Sequence, residues 1–516
     1  MLDAQPNYAP PTAQDLEVFA ALVPPEHYLH RAAKTIDFER FRPLMAGCYS
    51  PDWGRPAKEP VLLLKLEFLQ YHDRLSDRQV IEQAQVNIAY REFLGLSLTS
   101  PLPEVSLLSR FRGRLGVEGH RRIFHDLVAQ AREHGLVKDR LRLKDATHVL
   151  ADVAIPATIA LVAGMRDRLL GAAAFYNPPW AEGQKVRAEV IRTTEAAASA
   201  EQRLEMRVTH LREILAEVDA WVEQRSKTPG SDNGLWVRLE ETRRLAHKVL
   251  ADREHPQAGD ALVSLEEIDA RHGWHCGAYC GYLLDIAMDA DSEFVTAVNV
   301  LPANGDEAAD AAVLIREEEA AHGNDVEALS ADAALFQGEK LRELTDPQGL
   351  NLEVFVPPVA PRPTPYFSPE DFRLDEAGQT VTCPAGQQTS VRERNKHETG
   401  WIYRFRHTVC AACPLQGQCM PKLPKQHGRS VNKNAYVAEY AAARAKAETA
   451  EYAVVRRLHR KVERKLGEIA RHHGGRHARF RGQPKVLLQE LMTTLVVNVR
   501  RMVQILCAQP AVCAKA

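Results

Sequence analysis

The stretch RLRLKDATHVLADV, residues 140–153, holds a pattern from which the rest of the chain can be placed. Leu141 and Leu143 alternate with charged neighbours, and the alternation resumes at Val149, Ala151 and Val153, which is the period-two signature of a half-buried strand. Asp145 falls in the same apolar row, although strands disfavour Asp. Either the strand ends there in a turn, or the carboxylate is held for chemistry.

Downstream, YCGYLLDIAMDADSEFVTAVNVLPA (279–303) gives two alternating apolar runs around DADSE, a hairpin signal. DEAADAAVLIREEEAAHG (306–323) reads as a helix and VEALSADAAL (326–335) as a short strand. The order strand, hairpin, helix, strand predicts a mixed α/β unit with an antiparallel edge. Between the first strand and the hairpin lies a helical stretch. Its parts, 185–224 and 235–253, are joined by the breaker KTPGSDNG and read as a helical hairpin.

Upstream, residues 13–136 carry short helical patterns punctuated by Pro, Gly and Ser, with Ser76 as an N-cap. Short basic-edged helices in succession suit a DNA-binding helical domain, and they are equally common in plain bundles. Residues 350–368 form a Pro-rich connection into a cysteine segment. After it, residues 436–475 read as a long basic helical region stopped by Gly474-Gly475, and an apolar helix over 483–506 follows.

A chain of 516 residues exceeds what one core usually serves, so two or more structural units are expected. Hydrophobic residues at 45% and charged ones at 26% place it among globular proteins. No apolar run reaches the roughly 18 residues of a membrane helix. The N-terminal MLDAQPNYAPPTAQ lacks the basic flank and apolar core of a leader, so a cytoplasmic protein with no membrane partner is expected. The net charge of -2 conceals an asymmetry: residues 391–500 hold 23 Lys and Arg against 8 Glu and no Asp, leaving 43 against 60 elsewhere. That points to a polyanion-binding face, or to a helical region whose solvated side is basic.

Three acids stand next to apolar residues: Asp145, Asp332 in LSADAAL, and Glu463 in RRLHRKVERKLGEIAR. An unpaired carboxylate is costly to bury, and any one of them alone is more often a salt bridge or a cap. Together they fit a different solution, in which two Mg²⁺ ions held by carboxylates promote an in-line displacement at phosphorus. Separately, Cys383, Cys410, Cys413 and Cys419 supply four thiolates with one Cys-x2-Cys knuckle, which suits structural Zn²⁺; four reduced core cysteines are the alternative. Cys276 and Cys280, near His272 and His275, read as small buried cysteines. His472, His473 and His477 stand among Arg471, Arg476, Arg479 and Arg481, a set suited to phosphate contact.

LRLKDATHVLAD, the 267–308 segment, LSADAALFQGEKLREL, CPAG and VERKLGEIARHHGGRHARFRG together resemble the DDE transposases of bacterial insertion sequences. The likeness follows the family's order over about residues 52–506. It implies a ribonuclease-H-like core with Asp145, Asp332 and Glu463 as the three catalytic acids and metal ligands. Two Mg²⁺ or Mn²⁺ ions, double-stranded DNA at the element ends and target, and a homodimer on DNA are implied with it.

The implied organisation is an N-terminal helical DNA-binding domain (1–136), a core built from 137–157, 258–340 and 450–508, a helical hairpin insertion (158–257) and a Pro-rich and Cys-rich insertion (341–449). Tyr452, Arg456 and Arg460 stand where the family has a Tyr and an Arg upstream of the third acid. The downstream Lys falls at Ala470, with Arg471 beside it, so the phosphate contacts expected are Arg456, Arg460, Arg471, Arg476, Arg479 and Arg481. Glu468 is a rival to Glu463, which fits the alignment better. Asp289 and Asp291 fall at the hairpin turn. The expected activity is cleavage at terminal inverted repeats followed by strand transfer; a nuclease that cuts without joining and a domesticated DNA-binding protein are the alternatives.

Overall fold

The computed structural model describes residues 8–50, 57–226, 234–255, 259–274, 277–360, 364–375, 377–396 and 399–508. Seven helices lead the chain: α1 (Ala13–Leu22), α2 (Tyr28–Thr35), α3 (Arg42–Ala46), α4 (Pro60–His72), α5 (Asp77–Val86), α6 (Ile88–Leu94) and the long α7 (Val105–Glu133). Ser76 caps α5 as its sequence predicts. Its hydroxyl accepts from the Gln79 amide while the Gln79 side chain returns to the Ser76 amide, satisfying two donors at the helix start.

The alternating stretch becomes β1 (Arg142–Leu150), and Asp145 lies inside it rather than at its end. Four helices follow, α8 (Thr158–Ala173), α9 (Pro178–Thr194), α10 (Ala200–Ser226) and α11 (Gly234–Glu254). The stretch 185–224 is therefore two helices, because Ser199 caps a new start at its Gln202 amide. These four helices enclose their own core, with Leu169, Leu211, Ile214, Leu239 and Val249 at its centre. The breaker 227–233 lies outside the described residues, as do His275, Cys276 and Cys513.

Then come β2 (Arg271–Trp274), β3 (Ala278–Asp289), β4 (Val295–Pro302), α12 (Glu307–His322), β5 (Ala328–Ser330), α13 (Gly338–Thr345) and β6 (Glu353–Phe355). They form one curled mixed sheet. β3 is antiparallel to β1, β2 and β4, whereas β5 runs parallel to β1 and β6 parallel to β5. The Pro-rich connection thus contains a strand, β6, too short to show alternation. Asp289 closes the β3–β4 turn by accepting from the Ser292 amide and hydroxyl.

The cysteine segment folds as two small sheets, β7 (Arg373–Leu374), β8 (Val381–Thr382), β9 (Gln388–Thr389) and β10 (Arg392–Arg394), β11 (Gly400–Arg404), β12 (Ser430–Asn434). The short helices α14 (His407–Ala411) and α15 (Gln416–Cys419) lie between β11 and β12. Last come α16 (Val437–Ala447), α17 (Ala450–His472) and α18 (Gln483–Ala508). The basic region is two helices, since Thr449 caps α17 by accepting from the Tyr452 amide.

One hydrophobic core runs from the N-terminal helices through the sheet to α17 and α18, joining Phe68, Leu127, Leu143, Ile286, Val462 and Leu491. Asn498 pins α18 to β4, donating to the Val295 carbonyl at 2.7 Å and accepting its amide at 2.9 Å. Contrary to the expectation from the sequence, α18 is long and apolar enough to cross a membrane by length and composition. Its 18-residue apolar window is 67% buried inside the fold, as a core helix is.

Candidate functional site

Side chains alternate across β1, so the two faces of the sheet carry different chemistry. Leu143 and Val149 pack with Val462, Leu466 and Ile469 of α17, which puts Asp145, between them in the same row, on the α17 face. Arg142 and Lys144 point the other way, towards α12. Ala328 shares a cluster with Val455, and Ser330 bonds His459, so the alternation along β5 carries Asp332 to the α17 face as well.

The structure therefore brings Asp145, on β1, towards Asp332, which lies two residues past the end of the parallel strand β5 and caps a short 3-10 turn (Ala333–Leu335). Burial, with the Asp332 charge adding to it, raises the Asp145 carboxyl to about 7 against the opposing effects of the Ala146 amide and Lys144. The Asp145 carboxylate accepts from the Ala146 amide at 2.9 Å and the Asp332 carboxylate from the Ala334 amide at 3.0 Å. Each acid is oriented by backbone and keeps acceptor capacity for a cation.

Glu463 is exposed on α17, one residue after the buried Val462 and one turn beyond His459. The helix runs along β1: Val455 packs near Leu141 at one end, and His477 bridges to Leu150 at the other. Glu463 lies eight residues beyond Val455, about 12 Å of helix. Asp145 lies four residues beyond Leu141, about 13 Å of strand, so the two stand at similar heights. Among the described residues, however, no three His, Cys, Asp or Glu side chains are gathered tightly enough to hold a metal ion. Glu468 is engaged elsewhere, with Lys465 at 2.9 Å.

Two side chains that the sequence reading passed over hold this region. The Lys144 ammonium, buried behind Asp145, meets Asp285 at 3.0 Å and donates to the Glu307 carbonyl at 2.8 Å. Burial opposes its charge, but Asp285 and Glu307 outweigh that and raise its pKa. His459 is 2% exposed and bonds Ser330 at 3.1 Å; burial, then the Arg456 and Lys144 charges, depress it to about 4, so it is neutral. The strand period applied to LRLKDAT would have assigned Lys144 to the face opposite Asp145. Nothing local in RRLHRK marks His459.

The arginines are placed in different ways. Arg456 is half-buried and donates to the Ala331 carbonyl at 2.7 Å. Arg460 and Arg471 are exposed. Arg476 bonds His148 Nδ1 at 2.8 Å, Arg479 donates to the Leu75 carbonyl and lies over the Tyr71 ring, and Arg481 pairs with Glu266 at 3.2 Å.

Cys383, Cys410, Cys413 and Cys419 line one small cavity with Phe372, Phe405 and Met420, without being gathered tightly enough to form a metal site as they stand. Burial raises the Cys410 and Cys419 thiols, and the neighbouring cysteines raise them further. Cys280 is buried at the β3 edge, as expected of a packing residue.

Two family models match the chain. One, described as a transposase domain (DUF772), covers residues 17–114, and the other, described as a transposase DDE domain, covers residues 382–503. The second includes Glu463 and all four clustered cysteines. A curated relative from Rhizobium meliloti, an uncharacterized protein, ORF8 of the nfe locus, is 29% identical over 121 residues. That match covers 23% of this chain and 58% of the relative, so the chain spans little more than half of it. No solved structure matches. These two matches support a DDE transposase of an insertion sequence.

Proposed function

We propose that this protein binds the terminal inverted repeats of an insertion sequence, cleaves phosphodiester bonds at the element ends and joins the freed 3′-hydroxyl to target DNA. The observation that carries this reading is the juxtaposition of Asp145, on β1, with Asp332, just past the end of the parallel strand β5, where Asp145 is pushed to about 7 partly by its neighbour's charge. Two carboxylates of which one raises the other's proton affinity form a donor pair that a divalent cation would stabilise. Support also comes from the sheet order β4-β3-β1-β5-β6, antiparallel then parallel, which suits a ribonuclease-H-like core with β1 at its centre.

The donor set of Asp145, Asp332 and Glu463 is all carboxylate oxygen, which fits hard divalent cations such as Mg²⁺ or Mn²⁺. A pair of such ions would supply activation of the attacking hydroxyl and stabilisation of the leaving oxygen. The protein's share is positional. Asp145 gives up its proton as the site fills, Lys144 backs it from the far side of the sheet, and Arg456 with His459 fixes the strand end that presents Asp332. Rotation of the exposed Glu463 towards the pair would complete the ligand set. The exposed Arg460 and Arg471 contact DNA phosphates, and the N-terminal helices contribute to end recognition. The four-cysteine cavity would hold structural Zn²⁺ if the four side chains turned inward, thiolates being the fitting donors. The active assembly is a homodimer on DNA.

The test is a Mg²⁺-dependent assay with the DNA that flanks the gene. Cleaved and joined products support the transposase reading. Cleavage without joining makes the protein a nuclease, and binding without cleavage makes it a DNA-binding protein only.

A further inference from the structure

Residues 381–434, which carry the cysteines of the cavity, hold nine Lys and Arg against two Glu and no Asp, with Asp375 and Glu376 just upstream of them. Five of these cations, Arg394, Lys396, Arg406, Lys422 and Lys425, are exposed, and none of the five has an ion pair among the described residues. Mutual repulsion on so small a unit costs stability unless something anionic covers it.

The charges are also ordered. In the β10–β11 ladder Arg394 stands opposite Trp401, and in the β11–β12 ladder Trp401 stands opposite Lys433. The Arg392 and Arg394 guanidinium groups lie 4.3 and 4.4 Å from the Trp401 ring centroid. A guanidinium held over an indole keeps its N–H edge clear of the ring; Arg392 spends Nη1 on the Gly378 carbonyl, so the edge offered outward is chiefly that of Arg394. That edge is the part that grips phosphate oxygens in a fork.

The row sits at the end of the small sheet that joins the core. Two residues after Lys433, the Ala435 carbonyl accepts from Arg342 of α13 at 2.8 Å, and the Gly338 amide that opens α13 donates to Tyr440 of α16 at 2.9 Å. α13 begins shortly after Asp332, and α16 leads into the helix of Glu463. The row is thus tied through α13 and α16 to the elements that carry two of the carboxylates.

We propose that the Arg392–Trp401–Arg394 row, with Lys396, is a platform that grips the phosphate backbone of duplex DNA flanking the strand held at Asp145 and Asp332. This rests on the reading that the protein acts on DNA. The grip is to phosphate and carries no sequence preference of its own.

Each phosphate contact removed should lower the slope of log affinity against log salt by about 0.9. The full-length protein is titrated with a random-sequence duplex over a range of KCl concentrations, comparing wild type, Arg394→Ala with Lys396→Ala, and Arg394→Lys with Lys396→Arg. Both sites are exposed, so the fold is retained, as circular dichroism checks. The alanine pair is expected to bind several-fold more weakly with a slope shallower by about 2, and the charge-keeping pair to hold the wild-type slope. An unchanged slope in the alanine pair, with wild type binding normally, overturns the platform and leaves the transposase reading intact. Failure of wild type to bind any duplex overturns both.

Discussion

The Arg456 guanidinium donates to the carbonyl of Ala331 at 2.7 Å, and the next residue is Asp332. A second bond from Arg456 reaches Ser330 Oγ at 3.3 Å, which His459 also holds. The helix that carries one acid is thereby tied to the strand end that carries another. Arg456→Ala should slow cleavage by roughly tenfold, about 1.4 kcal/mol in barrier, while affinity for end DNA changes little. Arg456→Lys should restore little, because it keeps the charge but does not place a donor where Nη1 bonds both Ala331 and Ser330. If Arg456 served only as a phosphate contact, single-turnover rates on saturating DNA would be normal in the alanine variant and affinity would fall.

Glu490 of α18 is fully buried, and burial pushes its carboxyl up to about 8. Its ordinary value is 4.5, so the folded protein retains a proton that the unfolded chain releases. The stability contributed is complete below pH 4.5 and is lost as pH rises through 8. Glu490→Gln should therefore gain on wild type as pH climbs from 5 to 8, by on the order of a few kcal/mol. Thermal melts of both proteins across that range check it, and parallel curves would show that Glu490 ionises freely in the fold.

The cysteine cavity gives a metal prediction. Purified protein should hold one Zn²⁺ per chain by elemental analysis, and Cys410→Ser with Cys413→Ser should lose it. Wild type without zinc would reduce the cluster to apolar packing around Phe372 and Phe405.

Since α18 is the central strut of the shared core, Leu491→Ala should destabilise the chain by about 2–5 kcal/mol. The N-terminal helices and the sheet should melt in one transition, because Leu491 belongs to the cluster that joins them. Two separate transitions, with only one shifted by the substitution, would mean that the helical region folds alone.

The sequence made some of this legible and hid the rest for definite reasons. β1, the β3–β4 hairpin, α12 and β5 could be read because period two and period 3.6 persist over enough residues. β6 could not, since three residues within a Pro-rich run show no alternation. The breaks before α10 and α17 depend on single capping side chains, Ser199 and Thr449, within otherwise continuous helical patterns. The pairing of Asp145 with Asp332 was reached through resemblance, since 187 positions separate them in sequence and only the parallel β1–β5 ladder joins them. The partners of Lys144 and His459 lie far along the chain, and no local pattern encodes them.

The central claim is that Asp145, Asp332 and Glu463 serve one metal-dependent centre. It is tested most directly by measuring Mg²⁺-dependent cleavage and joining of end DNA by wild type and by Asp145→Ala, Asp332→Ala and Glu463→Ala, with end binding measured in parallel. Each substitution is predicted to abolish both reactions and to leave binding largely intact. Wild-type cleavage by any one of the three variants would contradict the claim for that residue, and at Glu463, the exposed member, it would show that the third ligand lies elsewhere.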